Sequence, residues 1–324
     1  MNSFNVKIDT INTPMPSLKD LLGLCKLKVV ALILLTAVVG MFLAVPAPYL
    51  PDPYIVISAS LGISLSAASA AVFNHIVDEQ IDMQMSRTHQ RPLPQGKVSR
   101  NQALVWGVFL GILGLGILQL FVNTITMVLT FISLIGYAVI YTMYLKRATP
   151  QNIAIGGAAG AAPPVLGWTA VSGTQGIEYS LLLFLIVFIW TPPHFWALAI
   201  FRVNEYKKVD VPMLPVTHGI EYTNKQILFY TILLFIVTLM PYIYGMSGLI
   251  YLASAILLSG GFLVYAIKIF NGRENKLFYW KTFKYSVNYL MLLFIALLVD
   301  HYWLFFIEKY KNINNFMTNF LTIG

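Results

Sequence analysis

Nine apolar runs, each long enough to cross a bilayer, leave this chain almost no sequence from which to build a water-soluble domain. They lie near 29 to 45, 54 to 73, 102 to 121, 124 to 144, 153 to 171, 179 to 200, 226 to 244, 249 to 270 and 286 to 307. About 20 apolar residues make a helix that spans the hydrocarbon core, and backbone in lipid must satisfy its own hydrogen bonds. Hydrophobic residues make up 58% of the chain and charged residues 10%, against roughly 25% charged in an ordinary soluble domain. The expected fold is all-α: a polytopic membrane protein of about nine transmembrane helices bundled around a central cavity open to the cytoplasmic side. The fifth run is broken by Pro163-Pro164 and is the least like a simple straight helix.

A net charge of +8 could point to nucleic acid, but the distribution of the bases excludes that partner. With nine spans and an inside N-terminus, nineteen of the twenty-one Lys and Arg residues fall on one side, and only Lys309 and Lys311 fall on the other. That is the positive-inside rule. It places the segments 74 to 101, 145 to 152 and 201 to 225 in the cytoplasm and the C-terminus in the periplasm. Residues 1 to 28 read as a cytoplasmic N-terminal segment, 29 to 307 as one transmembrane domain, and 308 to 324 as a C-terminal tail. The leading segment is long and carries Asp9 and Asp20 before an extended apolar run, unlike a secretory signal or a mitochondrial transit peptide. A bacterial inner membrane is the expected location. The one cysteine, Cys25, excludes an internal disulfide and a C-x-x-C motif.

Chemistry concentrates where the second run ends. Asn74, Asp78 and Asp82 are spaced i, i+4, i+8, so on a helix each lies about 40° round from the last and the three share one face. Converging carboxylates repel unless a cation neutralises them. Hard oxygen ligands beside Arg87 and Arg91 suit Mg²⁺ bridging carboxylate to phosphate. The same residues also read as a solvated, charged helix end. Four runs later the sixth run ends in a second polar segment containing Arg202, Glu205, Tyr206, Lys207, Lys208 and Asp210. Two four-helix halves plus a ninth helix would bring both segments to one side, facing across a shared cavity. Asp300 and His301, in the ninth run, read as a polar pair near the outer interface.

These residues also carry a family resemblance. Asn74, Asp78 and Asp82 with Arg87-Thr88 and Arg91-Pro92-Leu93-Pro94, followed by Tyr141-Thr142, Tyr144-Leu145-Lys146-Arg147, Thr149-Pro150, Asn152-Ile153 and Gly156-Gly157, resemble the UbiA superfamily of intramembrane prenyltransferases. Within it, Trp190-Thr191-Pro192-Pro193-His194-Phe195-Trp196 with Glu205-Tyr206 and Asp210-Val211-Pro212 is similar to the branch that farnesylates haem. In other branches the second acidic motif is typically a D-x-x-x-D run, whereas Glu205 and Asp210 are five apart.

The resemblance implies transfer of a farnesyl group from farnesyl diphosphate to a vinyl group of haem b, with water added, giving haem O and diphosphate. It implies Mg²⁺ on Asp78 and Asp82, oriented by Asn74, with Glu205 as a further metal position. Arg87, Arg91, Lys97, Lys146 and Arg147 become candidate phosphate clamps, Arg91 and Arg147 first among them; topogenic charge is the bland reading of each. Tyr141 and Tyr144 become walls that face an allylic cation, or members of an interfacial aromatic belt. Gly156, Gly157 and Gly160 would let an isoprenoid tail lie close to the backbone. His194 would ligate haem iron or contact a propionate, with His75, His89 and His218 as alternatives and a hydrogen-bonded structural group as the bland reading; Arg202, Lys207 or Lys208 would pair with propionates or belong to a solvated loop. A downstream haem-handling enzyme or a terminal oxidase under assembly would receive the product.

Three rivals remain at this level. They are a prenyltransferase acting on an aromatic quinone precursor, a membrane transporter, and a haem-binding assembly factor without chemistry. A transporter would place ionisable groups at the midplane, whereas here they sit at the inner ends of the runs.

Overall fold

The computed structural model describes residues 15–272 and 275–322, with side chains described as far as 303. Lys7, Asp9, Arg273 and the side chains of Lys309 and Lys311, which entered the charge reading, lie outside the described residues.

Every apolar run is helical. In chain order the helices are α1 (Leu18–Leu24), α2 (Leu27–Leu43), α3 (Pro53–Gln84), α4 (Arg100–Phe121) and α5 (Thr124–Ile135). A π-helical segment, Gly136–Leu145, continues α5 into the short α6 (Lys146–Ala148). Then come α7 (Asn152–Ala161), α8 (Pro163–Ser172), α9 (Ile177–Phe201), α10 (Val203–Lys208), α11 (Leu214–Thr217), α12 (Gly219–Ile243), α13 (Leu249–Phe270) and α14 (Lys276–Thr322). Among the described residues seven helical spans are long and apolar enough to cross a membrane, or eight if the pair α1 and α2, bent by 59°, counts as one span. The sequence count of nine differs at the fifth run. Its two ten-residue helices, α7 and α8, meet at Ala162 before Pro163, and neither alone has the length of a span. The last helix also runs further than expected, starting ten residues before 286 and continuing through the segment read as a tail. The chain is a multi-pass membrane protein, and its broad outward faces, such as Leu104, Val105, Phe109 and Ile112 on α4, are apolar and exposed as lipid contact requires.

α3 packs on α4, α2 packs on α3 and α8, α9 packs on α7, α12 and α14, and α14 returns to α2 to close the array. The close approach of α2 to α8 depends on glycine. A methyl group at Gly167 would lie 1.8 Å from the Ala37 carbonyl oxygen, and one at Gly40 would lie 2.3 Å from that of Pro164. Small residues at such crossings replace the hydrophobic drive that lipid removes.

The end away from the charged loops is closed by capping groups. The Asn123 side chain donates to the Thr169 carbonyl at 2.9 Å and accepts from the Thr126 backbone N–H at 2.8 Å. Asp300, buried in α14, accepts from the backbone N–H groups of Gly248 and of Tyr251, the latter at 3.1 Å. It thereby caps the N-terminus of α13, where a carboxylate is favoured. His301 Nε2 lies 2.9 Å from the Val45 carbonyl oxygen.

Candidate active site at the charged end of the bundle

α3 starts on an Asp52 cap with Pro53 in its first turn and runs unbroken for 32 residues, carrying the acidic motif on its final turns. Asn74, Asp78 and Asp82 share a buried face, at 4%, 2% and 3% exposure. Asn74 Nδ2 donates to Asp78 Oδ2 at 2.9 Å and reaches Thr142 Oγ1 at 3.3 Å. Bases complete the face. Lys146 Nζ lies 2.5 Å from Asp78 Oδ2, and Arg91 Nη1 lies 2.6 Å from Asp82 Oδ2. The turn after α3 aims Arg91 backward: Thr88 Oγ1 donates to the Asp82 carbonyl at 3.2 Å, and the Arg91 N–H donates to the Thr88 carbonyl at 3.0 Å.

Lys26 joins this face, a position counted in the sequence only as topogenic charge. It occupies the left-handed region, φ 49° and ψ 49°, at the bend between α1 and α2. Its Nζ donates to Asn74 Oδ1. The only sequence signal was a lysine at a helix break directly before an apolar run.

The π-helical segment shapes the adjoining wall. Thr142 Oγ1 donates to the Tyr137 carbonyl, five residues back, at 2.7 Å. Wider i→i+5 winding aligns residues four to five apart, and such segments recur at functional sites. Tyr137 and Tyr141 therefore pack at 5.5 Å, while Tyr144, three residues on from Tyr141, turns outward and is 69% exposed. The expectation that Tyr144 shares a wall with Tyr141 is corrected on this ground, and Tyr137 takes its place. Gly156 makes the seat of Tyr141, since a methyl group there would lie 2.1 Å from the ring.

The second polar segment approaches the first through Tyr206. This buried phenol lies in the field of Arg87, Arg202, Glu205 and Asp78, and burial pushes its pKa up. Tyr141 is within electrostatic range of both Tyr206 and Asp78. Arg87 is exposed at the edge of this region and lies in the field of Arg91, Arg202 and Asp82. Glu205 is held by Arg202, Nη1 to Oε1, at 2.7 Å.

Other predicted residues stand apart. Arg147 is exposed, its Nη2 donating to the Val77 carbonyl at 3.2 Å. Lys97, Lys207, Lys208 and Asp210 are exposed, as is His89, and His218 pairs with Thr217 on the surface. His75 is buried with both ring nitrogens unpartnered. His194 is buried deeper in α9 against Ser286, with Nδ1 2.6 Å from its Oγ.

Among the described residues no three His, Cys, Asp or Glu side chains gather closely enough to cage an ion. Mg²⁺ does not need such a cage, because it keeps waters and is held by one or two carboxylates plus substrate phosphates. Asp78 Oδ1 fits that use: it is buried and has no hydrogen-bond partner, a state that buried acceptors seldom keep. Five bases, Lys26, Arg87, Arg91, Lys146 and Arg202, outnumber Asp78, Asp82 and Glu205 in this region. The excess suits a polyanion.

The UbiA prenyltransferase family matches residues 33–288, so this apolar helical bundle with a buried acid and base face at one end belongs to that family of membrane prenyltransferases. Among its relatives is the protoheme IX farnesyltransferase of Vesicomyosocius okutanii subsp. Calyptogena okutanii, 78% identical over 290 residues, covering 90% of this chain and 98% of that one. The fold resembles that of a digeranylgeranylglyceryl phosphate synthase, with TM-score 0.73 and 22% identity, covering 88% of this chain and 98% of the other. It also resembles a UbiA homolog from Archaeoglobus fulgidus bound to GPP and Mg²⁺, with TM-score 0.59 and 16% identity, covering 86% and 99%.

Proposed function

We propose that this chain transfers the farnesyl group of farnesyl diphosphate to a vinyl group of haem b, with addition of water, and releases haem O and diphosphate at the cytoplasmic face of a bacterial inner membrane. The observation that carries the reading is the buried face of α3, where Asp78 Oδ1 has no partner amid an excess of bases. The name of the 78% identical relative supports haem as acceptor.

Asp78 and Asp82, oriented by Asn74, would hold Mg²⁺, which when bound draws charge from the leaving diphosphate and weakens the allylic C–O bond. Glu205 is a second position for the ion from across the site. Lys26, Lys146 and Arg91, now paired with Asn74, Asp78 and Asp82, exchange those contacts for diphosphate oxygens. Arg87, from the turn after α3, and Arg202, from the facing segment, add positive field, and Arg147 and Lys97 attract the anion from outside. As the C–O bond breaks, its electron pair leaves with diphosphate. The terminal vinyl carbon of haem then bonds to C1 of the farnesyl group. Water adds to the neighbouring carbon and gives up a proton. The Tyr137 and Tyr141 faces stabilise the allylic cation and keep stray water from it. His194 contacts the haem, and Arg202 and Tyr206 hold its polar edge.

Purified protein supplied with farnesyl diphosphate and Mg²⁺, and with either haem b or 4-hydroxybenzoate, tests the reading by product mass. A farnesylated, hydrated haem is expected. Prenylation of 4-hydroxybenzoate with haem b left unchanged would sink it.

A further inference from the structure

Trp190 and His194 lie one turn apart on α9 and both close onto a single residue of α14. Ser286 is fully buried. Its carbonyl accepts the indole N–H of Trp190 at 2.8 Å, and its Oγ lies 2.6 Å from His194 Nδ1. The Ser286 hydroxyl donates its own proton to the Phe283 carbonyl at 2.7 Å. A hydroxyl has one proton to give. A carbonyl can only accept, so a Ser286 proton directed at Phe283 leaves Oγ to accept from His194, the arrangement in which Nδ1 carries the imidazole hydrogen and Nε2 keeps a lone pair.

The ring is also fixed in plane. Trp190 stacks on it at 4.2 Å and 21°, Phe283 at 4.5 Å and 27°, and Phe195 meets it edge-on at 4.8 Å. Among the described residues Nε2 has no hydrogen-bond partner. From Phe283 the stack continues to Trp280 at 5.2 Å and to Phe201 at 5.4 Å. There it meets cations: Arg202 and Lys276 lie 5.7 and 5.6 Å from the Phe201 ring, and Lys284 lies 6.0 Å from Trp280. An aromatic seam that ends in positive charge complements a flat apolar macrocycle with carboxylates on one edge.

We propose that Ser286 is a positioning residue, holding His194 in the Nδ1–H tautomer so that Nε2 presents its lone pair to the iron of the haem acceptor. The proposal rests on the haem reading given above and adds the atom that binds iron and the group that orients it. A hydrogen bond to the far nitrogen sets which nitrogen ligates and raises its basicity.

The test uses full-length protein titrated with haem b, read by absorption and by the iron–histidine stretch of the ferrous complex. Farnesyl diphosphate binding serves as the folding control. Wild type should show an imidazole-ligated spectrum that His194→Ala lacks. Ser286→Ala should keep farnesyl diphosphate binding, lower haem affinity about 10-fold or more and lower the stretching frequency, and Ser286→Thr should restore both. Wild-type affinity and stretch in Ser286→Ala would overturn the proposal. So would an unchanged spectrum in His194→Ala, even with haem O still formed, in which case farnesyl transfer stands without this ligand. A wild-type protein that makes no haem product at all would remove the acceptor and the proposal together.

Discussion

Lys146 Nζ lies 2.5 Å from Asp78 Oδ2, tying the end of the π-helical segment to the acidic face of α3 across 68 positions. Both side chains are largely buried, at 12% and 3% exposure. Removing the base alone strands a desolvated carboxylate, which costs about 3–5 kcal/mol. Lys146→Met should therefore lower the thermal midpoint of the detergent-solubilised protein and weaken farnesyl diphosphate binding. A melting curve that overlays wild type would show that the pair carries no such load.

Asp78→Asn and Asp82→Asn keep the shape of the face and remove its charge. Each should reduce farnesyl transfer by roughly 100-fold or more, as loss of a group that stabilises developing charge does. Chelation should silence wild type, and added Mg²⁺ should restore it while leaving the variants unresponsive. Full turnover by either variant would refute the metal role.

Gly156→Ala tests the aromatic wall without touching a charge. The added methyl would lie 2.1 Å from the Tyr141 ring, so the ring must leave its seat. Turnover with farnesyl diphosphate should fall about 10-fold or more, and water should capture more of the allylic cation, raising the ratio of farnesol to prenylated product. An unchanged product ratio would mean that Tyr141 does not guard the cation.

His194→Ala removes a ring 6% exposed, on a different helix from the acidic face. Haem binding should weaken while farnesyl diphosphate binding, measured by calorimetry, stays within about twofold of wild type. Equal loss of both ligands would assign His194 to folding.

Gly167→Ala probes the bundle itself. Its methyl would sit 1.8 Å from the Ala37 carbonyl oxygen, so α2 and α8 must separate. Overpacking of this kind costs roughly 1–3 kcal/mol, and a lowered midpoint in thermal unfolding is the expected result. Gly160→Ala, where a methyl meets open space, is the matched control.

The helices, and the common face of Asn74, Asp78 and Asp82, were legible in the sequence because hydrophobic length and i, i+4 spacing are local properties of a chain. The fifth run was legible as apolar and as interrupted at Pro163-Pro164, but that its parts are two separate ten-residue helices, α7 and α8, is seen only in the structure. Tyr144 was misplaced for a related reason: a three-residue spacing means one side of an α-helix and another side of a π-helix, and the winding follows from where Thr142 bonds.

The sequence by itself determined that this chain is a helical membrane protein with Asn74, Asp78 and Asp82 on one face at the end of a span. Only the tertiary structure decided which groups complete that face. Lys26 reaches Asn74 across 48 positions, Lys146 reaches Asp78 across 68, and Ser286 reaches His194 across 92. Contacts at such separations depend on how α2, α3, α9 and α14 pack together, and packing is a property of surfaces that no local spacing encodes.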